Sequence, residues 1–341
     1  MIAAVRGVRK MLRGITNRFL PGPLVLLYHR VADLPNDPFE LCVTPRAFSE
    51  HLEVLRSVAE PLRLGDVTHA LRDGNVRKGV ALTFDDGYAD NLLVAKPLLE
   101  RHEVPATFFI ATGYVDSGRE FWWDELERIV FRTGPDRLTS ADAGGGAAGG
   151  SQEREQDFSE AERRWHRGWK FSSDSSPHSR HRRFRLLYSR FQAMAPTERD
   201  SNLRRLRENA DVEAGARPEY RVMCSDELVR LTDSPLVEIG AHSVNHPLLT
   251  ALEPAAQSLE IRGSKDWLER TLGRQVASFS YPHGGFSSET VSLIAKAGFD
   301  YSFGTRRALA SSRSHPLAIP RVVPEGLDGD AFARFLREWL P

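Results

Sequence analysis

The chain has 341 residues, with 46 basic and 46 acidic side chains, so its formal net charge is zero. That length suits one large α/β domain or two smaller ones, and zero net charge gives no general attraction to nucleic acid. We therefore expect no nucleic-acid partner. The two cysteines, Cys42 and Cys224, form no CxxC pair, which argues against a disulfide framework or a thiolate zinc site.

The first 22 residues form a basic segment whose apolar residues follow a helical spacing. Arg and Lys side chains interrupt every apolar run in this segment, so it lacks the core of a signal peptide, and no stretch of the chain is long enough to span a membrane. We therefore predict a cytoplasmic protein. Residues 1–19 are a loose terminus, a helix packed on the domain, or a basic amphipathic helix in peripheral contact with the inner membrane face.

Short buried strands alternate with helices along most of the chain. Strands are predicted at 23–30, 80–84, 104–110, 235–242, 277–282, 301–303 and 317–319. Helices are predicted at 45–58, 66–71, 88–100, 254–272, 288–297 and 329–339, with another that begins at residue 225. This order predicts an α/β fold with a parallel sheet and helical crossovers. Six or seven strand–helix units favour a closed or nearly closed (β/α) barrel, and a doubly wound open sheet is the alternative.

The alternation fails between about residues 114 and 220. Residues 139–152 are rich in Gly, Ala and Ser, and we predict that they are mobile. Helical stretches are predicted from residue 121 to 131, around Trp165, at 183–191 and at 197–209. We predict a catalytic domain over 23–341 that is interrupted by this insertion, since a functional lid is the usual reason for so long an excursion.

Two polar motifs follow predicted strands. Asp85-Asp86-Gly87 places two carboxylates side by side, which is costly unless a cation or a proton separates their roles. His242 and His246 fall on one face if their segment turns helically. Either motif alone has an ordinary explanation, a turn or a chance pair. Because both lie at the carboxyl ends of strands, together they predict a metal site, and two imidazoles with one carboxylate are a usual catalytic zinc set.

Three segments resemble the polysaccharide deacetylases, the NodB-like carbohydrate esterases of family 4. These segments are Thr83-Phe84-Asp85-Asp86-Gly87, His242-Ser243-Val244-Asn245-His246 and Tyr281-Pro282-His283-Gly284. The resemblance implies a distorted (β/α) barrel of about seven strands and removal of N-acetyl groups from sugars. It also implies a divalent metal, most often zinc, with cobalt, nickel and manganese as alternatives.

The resemblance also assigns roles to residues at the matching positions. It implies that Asp86, His242 and His246 ligate the metal and that Asp85 is the base that deprotonates the attacking water. The backbone N–H of His283 would hold the oxyanion. We further predict that Tyr281, Trp122 and Trp123 line the substrate site, with core packing as the alternative for each of them.

The chain departs from the common family pattern at two points. Ser280 stands where the family has an Arg that steadies the base, and no late Leu-x-His strand supplies a general acid. The early Tyr28-His29 segment resembles the subgroup that includes exopolysaccharide deacetylases. First and last strands are neighbours in a closed barrel, so we predict that His29 protonates the leaving amine; a satisfied histidine at a strand end is the alternative. We predict Arg321 as the partner of Asp85, with an ordinary surface ion pair as the alternative.

The predicted function is that of a metal-dependent hydrolase. Its substrate would be an N-acetylated amino sugar of a surface polysaccharide, or of the lipid- or nucleotide-linked precursor. Two alternatives keep the fold: an O-deacetylase or deformylase that uses the same site, and a non-catalytic glycan-binding relative.

Overall fold

The computed structural model describes residues 22–73, 78–132, 166–176, 178–324 and 326–340. Its strands in these ranges are β1 (Leu24–Tyr28), β2 (Arg30–Val31), β3 (Cys42–Val43), β4 (Pro61–Leu62), β5 (Val80–Phe84), β6 (Ala106–Ile110), β7 (Val237–Ala241), β8 (Ser278–Ser280) and β9 (Tyr301–Phe303). Its α-helices are α1 (Pro45–Val58), α2 (Leu64–Arg72), α3 (Lys96–His102), α4 (Trp122–Arg132), α5 (Ser179–Gln192), α6 (Pro196–Asn209), α7 (Ser225–Leu231), α8 (Pro254–Leu272), α9 (Ser288–Lys296) and α10 (Gly329–Trp339).

A curled parallel sheet forms the centre of the molecule. Its strands follow the order β1-β5-β6-β7-β8-β9, and β4 also pairs with β5. Every residue of β1, β5 and β6 is buried, as expected for strands covered by helices on one face and by barrel contents on the other. Aromatic rings stack within this core, with the Phe84 and Phe108 centroids 4.8 Å apart.

The segment 319–322 closes the curled sheet between its two edges. Ile319 forms a parallel bridge with Phe303 of β9, and Val322 forms one with Leu26 of β1. The first and last parts of the sheet are therefore neighbours. These observations confirm the predicted distorted (β/α) barrel and exclude the open sheet.

The predicted strand at 317–319 is wrong, because Pro316–Ala318 is a 3₁₀ turn. Pro316 has no N–H for a strand ladder, and the His315 side chain accepts a hydrogen bond from the N–H of Leu317, which favours a turn.

The helix after the Asp-Asp motif differs from its prediction at its start. Residues Asn91–Ala95 form a π-helical turn before α3 begins. Pro97 cannot donate to the carbonyl of Leu93, and the N–H of Lys96 bonds to Asn91, which widens the turn. Leu93 lies within this π-helical turn and is 56% exposed.

The helices of the 114–220 region pack beside one another, since α4 contacts both α5 and α6. This confirms the helices predicted at 121–131, 183–191 and 197–209. The predicted helix around Trp165 falls largely, and the predicted mobile stretch 139–152 entirely, outside the described residues, as does the N-terminal segment 1–19. Among the residues that are described, no helix combines the length and the apolar character needed to cross a bilayer.

Candidate active site and metal centre

The two adjacent aspartates lie in a tight turn at the end of β5. Asp86 has φ = 78° and Gly87 has φ = 93°, so both occupy the left-handed region. Such a backbone costs a non-glycine residue about 1–2 kcal/mol. The turn is held because the carbonyl of Asp86 accepts from Ala111 and that of Gly87 accepts from Met223. It turns the Asp86 carboxylate toward the end of β7.

His242 directly follows β7 and is buried. Its Nδ1 lies 2.8 Å from the carbonyl oxygen of Ser280, which can only accept, so Nδ1 carries the proton and donates. Nε2 is then the free nitrogen, and it lies 3.5 Å from Oδ1 of Asp86. A backbone partner behind the ring in this manner is the usual way in which a protein orients a metal-binding imidazole.

His246 reaches the same place through a turn and not through a helix, which corrects the helical expectation for residues 242–246. Ser243 and His246 both have positive φ, 62° and 49°, and the hydroxyl of Ser243 accepts a hydrogen bond from the N–H of His246. The turn brings Nε2 of His246 to 3.3 Å from Oδ1 of Asp86. The two rings therefore meet because residues 243–246 form a turn, and not because residues i and i+4 share one face of a helix.

Asp86, His242 and His246 offer ligand atoms that all lie within 4.8 Å of one another, and all three side chains are buried. Oδ1 of Asp86 accepts no hydrogen bond of ordinary geometry from the described residues. Burial favours a raised pKa for Asp86, yet the neighbouring imidazoles of His242 and His246 hold that pKa well below its usual value. Burial lowers the pKa of His246, which favours the neutral ring that a metal needs. This donor set fits a divalent ion such as zinc.

Asp85 lies beside this group, with Oδ2 3.8 Å from Nε2 of His242, and it pairs with Arg321. The guanidinium donates from Nη1 to Oδ1 and from Nη2 to Oδ2, both at 2.7 Å, and the Ser280 hydroxyl donates to Oδ2 at 2.9 Å. Arg321 is 1% exposed, so this is a buried bidentate pair and not a surface contact. Burial acts to raise the pKa of Asp85, but Arg321 and then His242 outweigh it, and the pKa lies below its ordinary value.

A cavity of about 260 Å³ opens beside the carboxylates and imidazoles. Its polar wall contains His29, Asp85, Asp86, His242, His246 and His283. Its apolar wall contains Leu27, Phe39, Leu41, Trp123, Tyr188, Tyr281 and Val323. His29 follows β1 and is near enough to both aspartates to lower their pKa. His315 is exposed and outside this lining, where its ring caps the 3₁₀ turn.

The third motif forms a turn at the cavity edge. His283 and Gly284 have φ of 56° and 70°, and a Cβ on Gly284 would lie 2.0 Å from Oγ1 of Thr305. Only glycine fits there. The His283 ring lies 4.6 Å from that of His246, centroid to centroid. Burial, followed by the neighbouring His246, lowers the pKa of His283 well below its usual value, so its ring is neutral.

The three aromatic residues predicted to line the substrate site differ in their positions. Trp123 lines the cavity, and its indole N–H donates to the hydroxyl of Tyr88, which fixes its ring. Tyr281 borders the cavity but is 1% exposed, and its hydroxyl donates to Leu317.

Trp122 lies in the core and not in the cavity lining, which corrects its prediction as a substrate contact. It is fully buried because helices α5 and α6 cover it, with Tyr188 stacked on its ring at 4.9 Å. Core packing, the alternative given for Trp122, is therefore what the structure shows.

Sequence reasoning missed several residues that shape the site. Ser280 was noted only as the place where an Arg was missing, yet its small side chain leaves room for Arg321 and its hydroxyl bonds Asp85. Tyr188 of α5 reaches the cavity from the insertion. Glu260 and Arg199 hold the turn that contains His246. No local pattern marks these last three.

Comparisons with known proteins agree with this geometry. The polysaccharide deacetylase family model matches residues 73–133 and 207–302. A curated relative, the poly-beta-1,6-N-acetyl-D-glucosamine N-deacetylase of Staphylococcus aureus, is 24% identical over 80 residues, which cover 24% of this chain and 27% of the relative. That match therefore spans about a quarter of the relative's length.

Two solved structures share the fold over nearly the whole chain. The Streptococcus pyogenes deacetylase PplD in complex with acetate superposes with a TM-score of 0.59 and 17% identity, and the match covers 94% of this chain and 100% of that one. IcaB from Ammonifex degensii gives a TM-score of 0.56 and 16% identity over 94% and 97% of the two chains. The family match on both sides of residues 134–206 leads to one conclusion: residues 73–133 and 207–302 match a polysaccharide deacetylase domain, whose barrel fold the solved structures share.

Proposed function

We propose that the protein is a metal-dependent hydrolase that removes N-acetyl groups from amino sugars of a polysaccharide. One observation carries the proposal. Asp86, His242 and His246 form a compact buried group of metal-ligand type beside a second, separately paired aspartate. The pairing of Asp85 with Arg321 supports turnover over a purely glycan-binding role, because a binding module has no need of a buried, oriented carboxylate.

Asp85 is proposed as the base. With Arg321 and Ser280 as partners the carboxylate stays ionised, and Oδ1 accepts only one of the hydrogen bonds found among the described residues, which leaves a lone pair for a water. A divalent ion held by Asp86, His242 and His246 would polarise the acyl carbonyl and acidify water. Asp85 takes the proton of the attacking water and remains oriented by the two bonds from Arg321.

His29 is proposed to protonate the leaving amine. It lies in the cavity on the polar wall, across a strand end from Asp85, and its ring is partly accessible. The backbone N–H of His283 is proposed to donate to the oxyanion, since the Gly284 turn brings that backbone to the cavity edge. The apolar wall, with Trp123 and Tyr188, suits the face of a sugar ring.

Two neighbouring substitutions test the assignment. Asp86→Asn should lose both metal and activity, because it removes the charge of the only carboxylate in the ligand group. Asp85→Asn should retain the metal, since Asp85 is not one of the three proposed ligands, while kcat falls by roughly 10²–10⁴-fold with the base gone. Atomic emission measures the metal content of each variant. Acetate release from N-acetylglucosamine oligomers measures its activity.

The control compares N-acetylated with O-acetylated sugars at equal concentration. Faster acetate release from the O-acetylated series would favour the esterase alternative. Full metal content in Asp86→Asn would exclude the proposed ligand group, and an unchanged kcat in Asp85→Asn would exclude the proposed base.

A further inference from the structure

The turn formed by residues 243–246 has its backbone groups satisfied from three separate elements. The carbonyls of Ser243 and Val244 accept hydrogen bonds from Thr112 and Gly113, which follow β6. The N–H groups of Val244 and Asn245 both donate to Oε2 of Glu260 on α8, at 3.0 and 2.7 Å. Buried backbone polar groups need such partners, so these contacts select one path for the turn.

Glu260 also binds the side chain of Asn245 in the turn. Its Oε1 accepts from the amide nitrogen of Asn245 at 2.7 Å, while Oε2 accepts the two backbone N–H groups. The Glu260 carboxylate is 7% exposed. It therefore fixes both the backbone and the side chain next to His246, and it supports two residues of unfavourable φ, Ser243 and His246.

The carbonyl of Asn245 is held by a residue of the insertion. Nη2 of Arg199 on α6 donates to the carbonyl oxygen of Asn245 at 2.7 Å. Arg199 is 1% exposed and its guanidinium lies over the Trp122 ring, 5.3 Å from the centroid. Its contact with Asp200 is long, 4.0 Å, so among the described residues the bond to the turn is the main short contact of this buried cation.

Gly113 shows how closely the turn is enclosed. A Cβ on Gly113 would lie 2.8 Å from the carbonyl oxygen of Val244 and 2.9 Å from Oδ1 of Asn245. The turn therefore packs against three elements: the loop after β6, helix α8 and helix α6. His246 is the last residue of this turn, so a small displacement of the turn moves Nε2 of His246 relative to Asp86.

We propose that Arg199 and Glu260 are positioning residues for the metal centre: they hold the 243–246 turn so that His246 meets Asp86, and the insertion thereby forms part of the centre. The proposal rests on the proposed function for the presence of a metal. It goes beyond a lid, since α6 acts from behind the metal-ligand turn and not from across the cavity. Partners of this kind usually change metal affinity by 10- to 100-fold when they are removed.

The test is a Zn²⁺ titration of the full chain after chelator treatment, against a competing chromophoric chelator. Arg199→Met keeps the apolar stem over Trp122 and removes the donor, and its Kd for Zn²⁺ should rise about tenfold or more. Arg199→Lys keeps a charged donor and should recover most of the affinity. Arg204→Met is the matched control, because it makes the same change at an exposed position of α6 and should leave Kd unchanged.

Glu260→Gln provides a second measurement if Arg199→Met does not fold. It keeps the shape, removes the charge that two backbone N–H groups share, and should also weaken Zn²⁺ binding about tenfold. A Kd within about twofold of the wild-type value in the folded variant would overturn the proposal, even if the melting temperature fell, since a purely structural role predicts that result.

The outcomes for the proposed function are separate. A wild-type chain that binds no Zn²⁺ would overturn the metal centre and this proposal together. A wild-type chain that binds Zn²⁺ but releases no acetate would overturn the proposed deacetylation alone.

Discussion

Asp85 and Asp86 are neighbours in sequence but have different partners. Asp86 faces two imidazoles, whereas Asp85 faces a guanidinium and a hydroxyl. The different surroundings suit the proposed roles of Asp86 as metal ligand and Asp85 as base, although both pKa values are lowered. Two like charges on adjacent residues are therefore accommodated by different neighbouring groups.

The partner of Asp85 gives a prediction about pH. Arg321→Ser removes the main group that lowers the pKa of Asp85, while burial, which raises it, remains. The base then becomes protonated at higher pH, so the acid limb of kcat/KM should move upward in pH and the maximum should fall roughly 100-fold. A pH–rate profile measures both changes.

A compensating substitution provides the control. Ser280→Arg combined with Arg321→Ser returns a guanidinium to Asp85 from β8, and Oγ of Ser280 is already 2.9 Å from that carboxylate. The double variant should regain part of the activity and move the acid limb back. An acid limb that stays fixed in Arg321→Ser would contradict the assignment of Asp85 as the base.

His29 gives a prediction about leaving groups. If it protonates the departing amine, His29→Ala should slow acetate release from N-acetylglucosamine oligomers by roughly 100-fold. Hydrolysis of an aryl acetate should be nearly unchanged, because a phenolate leaves without a proton. Metal content checks that the site is intact. Equal losses on the two substrates would show that His29 has some other role.

At the level of elements, helix α5 brings an aromatic side chain to the cavity from the insertion. Tyr188 lines the cavity and contacts the rings of Phe39 and Trp122. If this wall receives the sugar, Tyr188→Leu should raise KM roughly two- to tenfold, the range expected for loss of an aromatic contact. Steady-state kinetics of acetate release measure KM and kcat separately.

Leu186→Ala is the control for that experiment. Leu186 lies on the same helix, is 57% exposed and is absent from the cavity lining, so its loss should not affect KM. An unchanged KM in Tyr188→Leu would show that Tyr188 of α5 does not contribute to substrate binding.

The elements also differ in how well they can be predicted from the sequence. Buried apolar runs and capping residues predict the barrel strands and helices such as α8, whose bounds are as predicted, because these signals are local. The motifs likewise predict the grouping of Asp86, His242 and His246. The turn at 243–246 was misjudged because its path depends on Arg199 and Glu260, which lie 46 and 15 residues from Asn245. Trp122 was misjudged because the helices that cover it are distant in sequence.

At the scale of the whole molecule, a bound ion should stabilise the fold. The ligand group joins the ends of β5 and β7, two central strands of the sheet, so an ion binds the folded chain and not the unfolded one. Linkage then predicts a gain of about 2.7 kcal/mol when free Zn²⁺ is 100 times its Kd. Thermal unfolding with Zn²⁺ and with chelator measures this gain.

Asp86→Asn is the control for linkage, since it should show the same melting temperature with and without Zn²⁺. A wild-type melting temperature that is the same with and without Zn²⁺ would argue against the metal centre. A gain that persists in Asp86→Asn would place the ion elsewhere.

The segment that closes the barrel carries Arg321, and this residue lies 236 positions after the aspartate it serves. The counter-ion of Asp85 is therefore carried by a segment that joins the sheet through two single-residue bridges. In mild denaturant these bridges should open before the long ladder from β1 to β7, because isolated bridges add little pairing energy. Enzymatic turnover should consequently vanish at lower urea concentration than the far-ultraviolet circular dichroism of the sheet and helices.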